Sequence, residues 1–167
     1  PASIRYVGEG LERPECILAE PDGTLWSADG RGGVVRIGHD GSQQLILQST
    51  VVRNEKSSFE DRYVNTMGSL PNGLAFDADG NFLIANFGTD ALELMTRDGK
   101  TRTLVDRIDG KPVGKANFVT RDSAGRLWLT VTTRMIPWTR HVETMSHDGY
   151  IAVIDERGAR IVADGLC

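Results

Sequence analysis

Apolar and polar residues alternate with a period of two through most of the chain, and Asp-Gly or Ala-Gly corners interrupt the alternation at a recurring place. Residues 16–29, 73–86 and 118–131 each read as strand, turn, strand, with Gly23, Gly80 and Gly125 at the corners. Alternation around a glycine corner is the signature of a β-hairpin. A second hairpin follows each copy, at 34–46, 92–105 and 150–162. Four strands per repeat, at a period of roughly 45–60 residues, is the pattern of a propeller blade. No helical 3.6-residue period competes over a comparable length. The reading is therefore an all-β fold, a β-propeller with blades at about 11–48, 69–106 and 114–163. A β-sandwich with accidental repetition is the alternative.

Three blades do not close a ring, because propellers use roughly 4–8. Open edge strands also invite pairing with other chains. The expectation is that missing residues, a companion C-terminal half-chain or a second copy complete the ring. Two segments interrupt the blades. Residues 49–68, which include the charged run 53–62, read as a connection between the first two blades. Residues 132–148 form an insertion within the third blade, with Arg134, Pro137, Trp138, Arg140 and His141. Long loops in compact domains are usually functional or mobile. We read this one as a lid over the channel mouth, against the plainer reading of a surface loop.

Composition narrows the function classes. The 167 residues are 40% hydrophobic and 25% charged, values typical of a globular protein. The net charge is −4 and the basic residues are scattered, which argues against a nucleic-acid partner. No apolar run approaches the roughly 20 residues of a membrane span. The start of the chain lacks the apolar core of a secretion signal, although a removed signal leaves no trace. Cys16 and Cys167 have neither metal-ligand spacing nor a disulfide framework, and a single bridge between them is left open. A cytoplasmic location is expected, with periplasm or secretion as alternatives.

Alignment on the turn glycines gives the candidate chemistry. Eight residues before Gly23, Gly80 and Gly125 stand Glu15, Asn72 and Asn117. The first strand of every propeller blade lines the central channel, so matching positions at its start form a ring. One carboxylate and two amides suit a hard cation such as calcium or magnesium, which takes oxygen ligands. Zinc prefers nitrogen and sulfur, and neither His nor Cys stands on the ring. The plainer reading is that the asparagines merely cap turns.

Several stretches carry a resemblance. Residues 11–16 with 23–29, then 70–77 with 83–88, then 104–117, are similar in order to the opening blades of the gluconolactonase / senescence-marker-protein / luciferin-regenerating-enzyme family. The resemblance covers nearly the whole chain and implies a six-bladed propeller with a central calcium or another divalent cation such as magnesium, manganese or zinc. It implies that Glu15 and Asn117 are metal ligands and that Asn72 lines the pocket. Two places depart from the family: Phe118 replaces an Asp common after the metal-binding asparagine, and Asn86-Phe87-Gly88 replaces a loop that often carries His.

The expected activity is metal-dependent hydrolysis of a lactone or related ester. Asn72, Asn86, Arg134 and Trp138 are the substrate-contact candidates. His141 is the candidate for proton transfer, with the remaining catalytic groups expected in the other half of the ring. His39 and His147 flank turn sequences and are expected to be exposed. By the repeat register Cys167 stands where Pro14, Pro71 and Ala116 stand, so the chain stops one residue before another axial position. A self-cleaved precursor would expose an N-terminal nucleophile there, on a companion chain. A strictosidine-synthase-like enzyme and a non-enzymatic binding propeller with structural calcium are the other classes.

Overall fold

In a computed structural model, which describes residues 3–4, 6–51, 58, 60–66 and 68–166, three four-stranded antiparallel meanders follow one another along the chain. The first contains β1 (Ile17–Ala19), β2 (Leu25–Asp29), β3 (Gly33–Ile37) and β4 (Gln43–Leu47). A short π-helical turn, Glu60–Val64, precedes the second meander. That meander runs through β5 (Pro71–Phe76), β6 (Phe82–Asn86), β7 (Ala91–Met95) and β8 (Thr101–Val105). A two-stranded hairpin of β9 (Arg107–Ile108) and β10 (Lys111–Pro112) leads to the third. The third contains β11 (Ala116–Arg121), β12 (Leu127–Val131), β13 (Gly149–Asp155) and β14 (Gly158–Leu166). Helix α1 (Thr139–Thr144) lies in the long β12–β13 connection. These are blades of a β-propeller, as the repeat predicts.

The corners repeat in atomic detail. Gly23, Gly80 and Gly125 have φ of 86°, 80° and 81°, a left-handed conformation that suits glycine. Trp26 donates its ring N–H to Glu20 at 2.6 Å, and Trp128 donates to Asp122 at 2.9 Å, six residues back in both blades. In the middle blade Leu83 stands at that place, and the Arg97 guanidinium lies over the ring of the neighbouring Phe82 at 4.8 Å. Arg97 also reaches Glu20 at 2.9 Å, which ties blade 2 to blade 1.

The core lies between blades, and the period-two alternation divides it. Phe82 and Ile84 of β6 join Trp26, Ala28 and Val34 of the first blade. The intervening Leu83 and Ala85 join Val119, Leu129 and Tyr150 of the third. Successive strand residues point to opposite faces, so a strand flanked on both sides reads as continuously apolar. The inner strands show the same effect: β5 is buried along almost its whole length, whereas Ile17 in β1 is 55% exposed and Phe118 in β11 is 44% exposed.

Residues 52–57 of the charged connection, and Cys167, lie outside the described residues. Cys16 is a free thiol directed at the Leu74 carbonyl, 3.7 Å away, and burial pushes its pKa up. No helix among the described residues is long and apolar enough to cross a membrane.

Candidate functional site

Antiparallel pairing brings the start of each inner strand beside the end of the second strand. Pro71 pairs with Asn86, and Ala116 pairs with Val131. One end of the blades therefore collects the lead-ins to β1, β5 and β11 together with the β2–β3, β6–β7 and β12–β13 connections. Glu15, Asn72, Asn86, Asn117, Arg134, Trp138 and His141 all lie on these segments or on the strand ends that adjoin them.

The two asparagines occupy a shared irregularity. The β5–β6 register jumps between Pro71 and Gly73, and the β11–β12 register jumps between Ala116 and Phe118. Asn72 and Asn117 are thus the unpaired residues of matching β-bulges, a device that re-aims a side chain and often stands beside active sites. The bulges face each other. Asn72 donates its amide N–H to the main-chain carbonyl of Asn117 at 2.9 Å. Its own carbonyl oxygen, on a residue only 6% exposed, is buried without a partner. Contact between the blades is close enough that a β-carbon on Gly73 would lie 2.5 Å from the Phe118 Cα.

Glu15 differs in its surroundings. In blades 2 and 3 two residues separate the matching bonded positions: 71 and 72 after Leu70, whose carbonyl accepts from Phe87, and 116 and 117 after Lys115, whose carbonyl accepts from Thr132. In blade 1 the equivalent bond is from Gly30 to the Glu12 carbonyl, so three residues, Arg13, Pro14 and Glu15, fill the span. Arg13 takes a left-handed φ of 48° to accommodate the extra residue. The Glu15 side chain is 42% exposed and pairs with the Arg13 Nε at 3.3 Å.

Asn86 has a different role from substrate contact. It is fully enclosed, and its carbonyl oxygen accepts from the backbone N–H groups of Leu70, Gly88 and Thr89 at 2.8, 3.1 and 3.2 Å. Its amide donates to Ser69 and Glu93, both at 2.8 Å. Asp29, at the equivalent place in blade 1, accepts in the same way from the Glu12 N–H at 3.0 Å. Both residues pin the lead-in to an inner strand, and Asn86 has no surface left for a ligand.

The β12–β13 connection folds over the same end. Trp138 meets Phe87, just after β6, edge-on with ring centroids 5.4 Å apart. Arg134 does not join it. Its guanidinium stacks on Tyr150 at 4.2 Å, and its Nε donates to the Pro112 carbonyl at 3.0 Å. Beneath the connection, the buried Lys115 ammonium touches Asp90, Thr66 and the Phe87 carbonyl at 2.7, 2.8 and 3.2 Å. The Thr66 hydroxyl and the Phe87 carbonyl accept hydrogen bonds from it, and the Asp90 carboxylate pairs with its charge. The sequence analysis missed Lys115, since nothing in its spacing distinguishes it from an exposed lysine.

His141 shares a depression of about 280 Å³ with Asn117, Thr130 and Tyr150. Its Nδ1 is 2.7 Å from Ser146 Oγ and 3.3 Å from Asp148 Oδ1. Ser146 donates its one hydroxyl proton to Asp148 at 2.6 Å, so toward His141 it can only accept. In the neutral ring the proton therefore sits on Nδ1, and Nε2 is the nitrogen left without one. Burial alone would raise the Asp148 pKa. Hydrogen bonds from Ser146, Thr133, the Arg134 N–H and His141 outweigh it and hold the carboxyl well below the usual range. His39 and His147 are exposed. Among the described residues no three His, Cys, Asp or Glu side chains converge, so an ion here would need amide or main-chain oxygens.

No protein-family model matches the chain. No curated protein matches it in sequence. Solved structures do match in fold. Virginiamycin B lyase of Staphylococcus aureus, as a catalytically inactive variant with quinupristin, is 17% identical with a TM-score of 0.59, covering 94% of this chain and 43% of that one. A gluconolactonase of Xanthomonas campestris is 18% identical with a TM-score of 0.60, covering 86% and 44%. The nidogen/laminin complex gives 19% identity and a TM-score of 0.60, covering 93% and 51%. The chain thus spans about half the length of these proteins or less, and identities this low establish the fold alone.

Proposed function

We propose that this chain supplies the cation-holding part of a β-propeller enzyme that opens a lactone or related ester. Further residues, a companion half-chain or a second copy would supply the rest of the ring. The observation that carries the reading is the Asn72–Asn117 pair: two bulged asparagines at matching blade positions, one with a buried carbonyl oxygen left without a partner. Unpartnered buried oxygens are costly, and a hard cation is the group that mixed amide and carboxylate oxygens satisfy. Glu15, Asn117 and the orphaned oxygen of Asn72 would hold it, with Asn72 also within reach of a substrate. A divalent ion there supplies polarisation of a carbonyl oxygen. The chain's own residues do the rest. His141 Nε2 accepts the proton of the attacking water, Ser146 and Asp148 stabilise the imidazolium that results, and the imidazolium returns the proton to the alkoxide oxygen that leaves as the acyl C–O bond breaks. The similarity to a gluconolactonase supports the substrate class.

The test is calorimetry of calcium binding by wild type and Glu15→Gln, beside lactone hydrolysis with and without chelator. Glu15→Gln keeps the size and removes the charge, so a large loss of affinity with unchanged unfolding is expected. Unaltered calcium binding would remove Glu15 from the site. The same base serves a second reading, elimination, which the similarity to virginiamycin B lyase favours. Product formed in ¹⁸O-water separates the two: hydrolysis incorporates one solvent oxygen and elimination incorporates none.

A further inference from the structure

At the same end of the blades as the two bulged asparagines lies a second cleft of about 660 Å³, walled by Leu11, Arg13, Tyr63, Phe87 and Trp138. This is the size range of small-molecule sites. Two of the residues that wall it each carry a buried N–H without an acceptor: Arg13 at Nη1 and Trp138 at Nε1. The rest of the lining is committed. Tyr63 donates its hydroxyl to the Glu12 carboxylate, the one acid on the cleft wall. Glu15 occupies the Nε edge of Arg13, and the guanidinium carbon lies 5.6 Å from the Phe87 ring centroid. Arg13 is thus braced on two sides with one N–H face left over. Indole and guanidinium N–H groups are donors only, so the missing partner must be an acceptor. A fixed positive charge favours an anionic one.

We propose that this cleft is a carboxylate-reading subsite, which takes the flat apolar part of a substrate bearing an anionic oxygen. Arg13 and Trp138 bind that oxygen, and Phe87, Tyr63 and Leu11 cover the apolar body. The Arg13-Pro14-Glu15 bulge then joins the two functions: one residue reads the substrate's remote end, and two positions on, another faces the ion. The inference rests on the hydrolase reading only in treating the ligand as part of the substrate; occupancy of the cleft itself needs no ion.

The experiment is isothermal titration of the full-length protein with 4-phenylbutyrate and its neutral counterpart 4-phenyl-1-butanol, in buffer containing chelator. The carboxylate should bind about tenfold tighter than the alcohol, the scale of one charge-assisted hydrogen bond. Arg13→Gln should weaken the carboxylate by about tenfold and leave the alcohol unchanged. Trp138→Phe, which keeps the ring against Phe87 and removes the N–H, should weaken the carboxylate several-fold, and it carries the test if Arg13→Gln does not fold. Failure of the carboxylate to bind, equal binding of the alcohol, or wild-type affinity in both variants overturns the proposal. Carboxylate binding that survives in a protein without calcium affinity supports the subsite while removing the metal reading. Calcium binding without carboxylate binding does the reverse.

Discussion

Replacing Gly73 with alanine tests how closely two blades must approach for the asparagine pair to exist. The added β-carbon would lie 2.5 Å from the Phe118 Cα and 2.9 Å from the Asn117 carbonyl oxygen, whereas ordinary contact begins near 3.4 Å. Both neighbours are main chain, so no side chain can rotate away and β5 and β11 must separate by about 0.9 Å, the difference between 3.4 and 2.5 Å. Overpacking of this kind costs about 1–3 kcal/mol. Displacing Asn117 also breaks the bond from Asn72, at about 1 kcal/mol. Alanine recovers about 0.4–1 kcal/mol by restricting the unfolded chain. The net expectation is about 2–3 kcal/mol of destabilisation, or a fall of roughly 4–12 °C in Tm for a protein of this size. Urea unfolding measures the first quantity. A double-mutant cycle with Asn72→Ala isolates the cause, because the Asn72 bond is already lost in the Gly73→Ala background and the two costs should fall short of additivity by about 0.5 kcal/mol or more. Destabilisation below about 0.5 kcal/mol, or strict additivity, would refute the reasoning.

Three further outcomes follow from the buried polar groups. Asn86→Ala strips the acceptor from three backbone N–H groups and should cost about 3 kcal/mol or more by denaturant unfolding; a loss under about 1 kcal/mol would show that water replaces it. The Tyr150 hydroxyl donates to the Val113 carbonyl at 2.7 Å, and burial pushes its pKa up to about 12. The neutral form is the stabilised one, so its contribution is complete below the ordinary tyrosine value of about 10 and is lost as pH rises through about 12. Ultraviolet titration should find one tyrosine ionising that late, and native ionisation of all three tyrosines near 10 would contradict the burial. Asp148 is displaced the other way, so the stability difference between wild type and Asp148→Asn should be full at neutral pH. It should shrink as pH falls below the ordinary aspartate value of about 3.9 and through the lowered one. A difference independent of pH would show that the carboxylate's charge contributes nothing.

The blades were legible because their signal is local and repeated. Alternation and a glycine with positive φ at each corner specify each hairpin without knowledge of its neighbours. The β9–β10 hairpin was equally visible in principle: Asp109 and Gly110 both take positive φ, the dipeptide that two-residue turns favour. It was absorbed into the approach to the third blade because each strand is only two residues long. The candidate site was legible only as a set of positions. Counting back from the corners identifies Asn72 and Asn117, but counting cannot show that both are bulged, nor that blade 1 inserts an extra residue ahead of Glu15. Side-chain roles set by long-range contact were hidden. Asn86 resembles a loop asparagine until Leu70, Ser69 and Glu93 surround it, and Arg134 resembles a lid cation until Tyr150 and Pro112 claim it. The order within the β12–β13 connection, where Ser146 and Asp148 orient His141, rests on contacts spanning the α1 turn.

The bulges also bear on how such a scaffold changes over generations. A residue that stands outside the ladder makes no ladder bond of its own, so exchanging it leaves the pairing of its hairpin in place and changes only the side chain offered at that end of the blade, at the cost of contacts such as the Asn72 bond. A fold with this separation can drift from one ligand chemistry to another in small, individually tolerated steps.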